Sequence, residues 1–310
     1  MAKPEDFTPQ FFHKHNIDAL QISIDTLHCN ARCVFCYLPP VLKTMNGDTR
    51  KPLHQDPEAQ AMMKAIVIGY VRSRLHYRKE IEHIEFIGGE VAMYPHNFAM
   101  LKAWSVEEPA VKFLFVTNGL FFRQNWSDFS FLTGSRVHWS LNGFDEQSHE
   151  ERMKMGKTFF QVLSNLKYYL KRTTERYVEI SFVMSPYTVR NHYYSKIALM
   201  LHWELINEGI HNFHPEFPVN VTAQDVSEEP IFRWDYYEKD ESLTQDFINN
   251  EVPVLLELGM IDESYLFRVL TCLKASQEQI DAVLADWHRF NPHNCMTTLY
   301  HTYKKTNLDL

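Results

Sequence analysis

The chain has little cysteine, only five residues in 310, too few for the disulfide framework of a small secreted scaffold. It is sparing with glycine as well. Ten glycines and fourteen prolines exclude collagen-like and low-complexity segments, and no repeat of solenoid period is present. No apolar run is long enough to span a bilayer, and the amino-terminal stretch MAKPEDFTPQFFHKHN is polar and acid-bearing where a signal peptide is apolar. These absences predict a soluble, cytoplasmic protein with no membrane partner. Basic charge is also in deficit: Lys and Arg number 31 against 39 Asp and Glu, a net charge of −8. That balance argues against a nucleic-acid partner, whose phosphates require a basic footprint. The hydrophobic share of 45% supports a large core, so the chain is read as one domain with appendages.

The scarce cysteines are not spread out. Three of the five fall inside CNARCVFC, residues 29–36. In a reducing compartment such a cluster reads as a metal or redox site. One reading is a structural zinc closed by a fourth ligand from His28, Cys272 or Cys295. Such sites usually show two ligand pairs with all four positions filled, and here a single triplet, Cys29-x3-Cys33-x2-Cys36, stands alone. A triplet suits a [4Fe–4S] cluster with three ligated irons and one open iron, which is a coordination site for a reactant.

Periodicity places the triplet in a repeating framework. DALQISID (18–25) has strand character and ends just before Cys29, and 37–55 reads as a loop. Asp56-Pro57-Glu58 is a helix start, with Asp as N-cap, Pro in the first position and an acid in the first turn. Further strands are expected at 83–88, 112–117, 137–141 and 177–184, with a sixth near 210–214. Helices are expected at about 97–105, 158–172 and 191–207 between them. Strands alternating with helices imply right-handed parallel βαβ units. The expected architecture is α/β: an amino-terminal arm (1–17), a partial (β/α)6 barrel (18–214) and a carboxy-terminal extension (215–310) with helices near 241–259 and 263–289.

Sites in βα barrels lie at the carboxy-terminal ends of the strands. Those ends here carry the cysteines, then Gly88-Gly89-Glu90, Thr117-Asn118-Gly119 and Ser140-Leu141-Asn142-Gly143. Two glycines let the backbone approach a ligand, and a carboxylate after them can accept from a cationic amine. Thr117, Asn118 and Ser140 offer hydroxyl and amide groups to a ribose or carboxylate, although Asn-Gly is also ordinary turn chemistry.

These segments, taken in order, resemble the radical S-adenosylmethionine (SAM) superfamily over about residues 18–190. The triplet matches the family signature, including the aromatic Phe35 before the third cysteine. The resemblance implies a [4Fe–4S] cluster on Cys29, Cys33 and Cys36, with SAM chelated to the fourth iron and cleaved to a 5′-deoxyadenosyl radical. It also implies an external electron donor of flavodoxin or ferredoxin type. Gly88, Gly89 and Glu90 resemble the segment that meets the methionine amino group. Thr117, Asn118, Ser140 and Asn142 resemble the third and fourth strand ends of the subgroup that holds peptide maturases and molybdenum-cofactor enzymes. The chain departs from the pattern at Val91, where proline is frequent, and at Asn142, where aspartate is frequent. Arg152 could pair with the SAM carboxylate or form a surface salt bridge, and Val183 could touch adenine or pack in the core. Auxiliary clusters would need more ligands than Cys272 and Cys295, even with His288 and His293 nearby, so one cluster per chain is expected. The expected chemistry is a redox-neutral C–H transformation of a peptide or amino-acid-derived substrate, with Cys272 or Cys295 as a possible hydrogen donor, the aromatic 213–237 segment as the lining of a peptide groove, and the amino-terminal arm and the 215–240 segment as candidates for a cover over the barrel mouth. Two alternatives stand beside it: an activase that installs a glycyl radical on a partner enzyme, and a zinc-stabilised binding module.

Overall fold

The computed structural model describes residues 3–23, 29–34, 56–87, 89–125, 135–172, 178–211, 213–216, 240–261 and 263–290. Phe35, Cys36, Gly88 and Cys295 lie outside these residues, as do His28, His293, the 37–55 segment and most of the aromatic 213–237 stretch.

In chain order the elements are helix α1 (Pro9–Lys14), strand β1 (Gln21–Ser23), α2 (Pro57–His76), β2 (Ile84–Ile87), α3 (Pro95–Glu107) and β3 (Phe113–Thr117). Next come α4 (Phe122–Asn125), β4 (Arg136–Ser140), α5 (Glu146–Met153), α6 (Phe159–Leu170) and β5 (Val178–Ser181). The barrel part closes with α7 (Pro186–Arg190), α8 (Tyr193–Glu204) and β6 (Phe213–Glu216). The six strands form one parallel sheet in sequential order β1 to β6, the topology expected of a partial (β/α)6 barrel.

Local chemistry explains the elements. Asp56 caps α2 by accepting from the Ala59 amide at 3.0 Å, with Pro57 as the first helical residue. Asp145 caps α5, and Ser185 caps α7 just before Pro186. Two strands are displaced from the sequence expectation. Among the described residues β1 is only Gln21–Ser23, and the sixth strand is Phe213–Glu216, past 210–214. Residues 206–208 instead continue α8 as a 3-10 turn that Gly209 ends with φ of 75°, so the strand starts later.

Register divides the sheet into two faces. Ile22, Phe86, Phe113, Val137, Trp139, Val178, Ile180 and Phe213 are buried under the helices, for example Phe86 against Trp104 of α3 and Trp139 against Tyr169 of α6. The alternate residues turn to the inside of the curve. There Gln21 donates to Glu85 at 2.6 Å, and His138 pairs with Glu179, its register partner on the next strand. A closed barrel fills this space with branched aliphatics. Here the inner face is largely polar, which suits a lumen open to water or a polar ligand.

The carboxy-terminal helices are α9 (Glu241–Asp246), α10 (Val252–Leu258), α11 (Glu263–Cys272) and α12 (Gln277–Phe290), with a π turn at Phe247–Glu251 between the first two. The single helices expected at 241–259 and 263–289 are therefore each interrupted. Pro253 lacks the N–H that a regular ladder needs, which accounts for the first break. The second is a capping box: Ser276 accepts from the Gln279 amide at 3.2 Å, and Gln279 Oε1 accepts from the Ser276 amide at 2.8 Å. The extension docks on α8 through Glu251, fully buried, which accepts from the Ser195 amide at 2.5 Å and faces His192 Nδ1 at 3.0 Å. Among the described residues no helix is long and apolar enough to cross a membrane.

Candidate active site at the strand ends

Glu90 follows β2 and is 3% exposed. Its Oε1 accepts from the Ala92 amide at 2.9 Å and from Thr117 Oγ1 at 2.7 Å, and its Oε2 accepts from the Asn118 amide at 2.6 Å. The carboxylate thus ties the end of β2 to the end of β3. Asn118 carries the tie onward, because its Nδ2 donates to Asn30 Oδ1 at 2.9 Å. Asn30 stands between Cys29 and Cys33, so one chain of hydrogen bonds joins the cysteine loop to the second and third strand ends. The sequence reading missed Asn30; its signal was a side-chain amide inside the cysteine motif.

Gly119 completes the third strand end with φ of 79°. A Cβ there would stand 2.3 Å from the Trp139 ring, so both conformation and space require glycine. Asn165 of α6 fixes this turn by donating to the carbonyls of Gly119 and Leu120 at 2.8 and 2.9 Å. It too escaped the sequence reading, although an amide in the apolar stripe of an amphipathic helix marks a buried polar duty.

At the fourth strand end Asn142 is 3% exposed, and its Oδ1 accepts from the Val183 amide at 2.7 Å. Val183 is therefore joined to the site through its backbone. Ser140 is half-buried opposite Ser181 in the register. Arg152 is 1% exposed, which corrects the surface salt-bridge alternative, and its guanidinium lies 5.5 Å from the Tyr187 ring centre and 6.0 Å from that of Tyr193. The cysteine loop meets the same helix end: the amides of Arg32 and Val34 donate to the carbonyls of Met153 and Arg152, both at 3.0 Å.

Cys29 and Cys33 are both half-buried in this loop. Two soft thiols four residues apart, beside strand ends rich in polar groups, fit the iron–sulfur cluster that the triplet implies, with Cys36 outside the described residues. Among the described residues no group of three or more His, Cys, Asp or Glu could hold a metal ion. Cys272 is elsewhere. It ends α11, half-buried against the core and close enough to influence Tyr194 of α8. His288 pairs with Glu263 at 3.3 Å, linking α12 to α11.

Burial pushes the Glu90 carboxyl up to about 7, with the hydrogen bonds from Thr117, Asn118 and Ala92 pulling the other way. A raised carboxyl pKa means that the folded state holds its proton where the unfolded chain has lost it. Stability from this group is present in full below the ordinary value of 4.5, falls as pH rises towards 7 and is level above that. The span corresponds to about 3 kcal/mol. Glu90→Gln removes the titration and turns an NH2 towards the Asn118 amide. Urea unfolding of the apo protein at pH 5 and pH 8 should show this slope in the wild type and its absence in Glu90→Gln. Equal slopes in the two proteins would contradict the assignment.

Among curated protein sequences none matches the chain. The solved structures of anSMEcpe share its fold: the form with bound AdoMet and Cp18Cys peptide superposes with a TM-score of 0.51 at 16% identity, covering 84% of this chain and 67% of that one. A histidine-tagged form with bound AdoMet gives 0.52 over 84% and 68% at the same identity. Streptococcus suis SuiB bound to the precursor peptide SuiA is more distant, at 0.42 and 16% identity over 66% of this chain and 41% of that one. The family model described as the radical SAM superfamily matches residues 23–191, more than half the chain and the span that holds every strand end described above, so this chain belongs to the radical SAM superfamily.

Proposed function

We propose that the protein binds a [4Fe–4S] cluster through Cys29, Cys33 and Cys36, binds SAM across the strand ends, and abstracts hydrogen from a peptide or amino-acid-derived substrate inside the barrel. The observation that carries this reading is the hydrogen-bonded chain from Glu90 through Asn118 to Asn30, which fixes the cysteine loop against the second and third strand ends. When bound, the cluster supplies the electron that splits SAM into methionine and a 5′-deoxyadenosyl radical.

The chain's own residues do the rest. Gly88 and Gly89 bring no side chain to crowd the SAM amino group. Glu90 acts from beneath by holding Thr117 and Asn118, since its carboxylate already accepts three donors. Ser140 and the Asn142–Val183 pair line the ribose and adenine side. Arg152, with a charge that is buried beside two tyrosine rings, neutralises the SAM carboxylate. The polar inner face, with Gln21, Glu85, His138 and Glu179, supports a substrate of peptide character over an apolar one. The peptide-bound anSMEcpe structure lends the same reading support. An external flavodoxin- or ferredoxin-type donor delivers the electron. With only Cys272 and Cys295 outside the triplet, the sequence favours one cluster per chain, and with it a redox-neutral outcome.

The test is anaerobic incubation of the reconstituted, reduced protein with SAM and a defined library of short peptides in heavy water. The expected product is an isomer of one peptide that carries one deuterium on carbon. A product two hydrogens lighter, with a new bond, would overturn the redox-neutral reading.

A further inference from the structure

Two separate anchors hold the cysteine loop. One is the Asn118–Asn30 bond. The other is the last turn of α5, and it brackets Cys33 in particular. The amides on either side of Cys33, those of Arg32 and Val34, donate to the Met153 and Arg152 carbonyls at 3.0 Å. These carbonyls belong to the final turn of a helix, where no amide of the helix itself remains to satisfy them. The chain leaves α5 at once through Lys154 in the left-handed conformation, with φ of 50°, so the cysteine loop takes the place of a further turn.

The Met153 side chain fills the bracket. It is 2% exposed, and its Sδ lies 3.4 Å from Cys33 Sγ and 3.5 Å from Asn142 Nδ2. Asn142 in turn accepts from the Val183 amide. One thioether therefore packs the middle thiol of the motif against the fourth and fifth strand ends, beside Arg152 on the preceding position of α5. A thioether is soft, unbranched and adaptable, which suits a contact where the neighbouring thiol must turn towards a metal without losing its support.

We propose that Met153 is the positioning residue for Cys33, and that through it the α5 end sets both the cluster loop and the Arg152 side of the SAM site. This rests on the cluster reading above. Residues that orient metal ligands without touching the metal commonly matter to metal retention.

The experiment compares wild type, Met153→Ala and Met153→Leu after identical anaerobic reconstitution. Iron and sulfide are measured per chain, with the paramagnetic resonance spectrum of the reduced cluster before and after SAM addition. Apo-protein circular dichroism and melting report folding. In Met153→Ala, iron per chain should fall by at least about half, and the SAM-induced spectral change should be lost, with secondary structure retained. Met153→Leu, close in volume, should restore both. The inference is overturned if Met153→Ala loads iron and responds to SAM like wild type, or if Met153→Leu fails as badly as Met153→Ala. Should Met153→Ala prove unfolded, the Leu variant decides: wild-type loading and SAM response uphold the packing role, and their loss overturns it. A wild-type chain that takes up no iron overturns the cluster reading itself, an outcome distinct from both.

Discussion

Replacing any one of Cys29, Cys33 or Cys36 with alanine should abolish SAM cleavage and leave the reconstituted protein short of its cluster. Each thiolate is expected to hold one iron, and a neutral methyl offers nothing in its place. The surroundings do not compensate. Among the described residues no group of His, Cys, Asp or Glu is placed to hold a metal in their stead. The loss should also be local. Besides the contacts of the thiols, the loop is tied down by Asn118 through Asn30 and by the α5 carbonyls through its backbone, ties that alanine leaves in place. The apo variants should therefore melt close to wild type while iron per chain and 5′-deoxyadenosine formation collapse. A single variant with full iron and normal turnover would remove that cysteine from the ligand set.

Gly119→Ala should be the most damaging single change to the scaffold of the site. The backbone there is left-handed, and a Cβ would stand 2.3 to 2.6 Å from three atoms of the buried Trp139 ring. Trp139 cannot withdraw freely, since it is fully buried between Phe122 and Tyr169. The conformational cost and the overlap together are on the order of 3 kcal/mol. For a domain of this size that corresponds to a fall in melting temperature of roughly 6–12 °C. Because Asn118 is the adjoining residue, SAM affinity should suffer in whatever fraction folds. A melting temperature within a degree or so of wild type would mean that the turn relaxes without cost.

What was legible in the sequence follows from how local each signal is. The parallel order of the strands and the identity of four strand ends could be read from period and punctuation, because each depends on a handful of neighbouring residues. The cysteine triplet was legible for the same reason. Contacts that join distant segments were not. Nothing in the spacing says that the Glu90 carboxylate faces Thr117 and Asn118, that Asn30 meets Asn118, or that Met153 packs on Cys33, separations of 27 to 120 positions. The break between α11 and α12 was legible in principle, as Ser276 and Gln279 form a recognisable capping pair inside an otherwise continuous apolar period. Arg152 shows the limit from the other side. The sequence left a surface salt bridge open beside a pairing with the SAM carboxylate, and the packing against Tyr187 and Tyr193 places the side chain inside.

A cluster at the strand ends that opens SAM reductively is tested by reconstitution. The full chain is reconstituted anaerobically with iron and sulfide, reduced with dithionite and incubated with SAM, and 5′-deoxyadenosine is quantified by mass spectrometry. The account predicts a brown protein with about four irons per chain that forms 5′-deoxyadenosine only when reductant is present. Intact SAM from a colourless protein carrying a single zinc would contradict it.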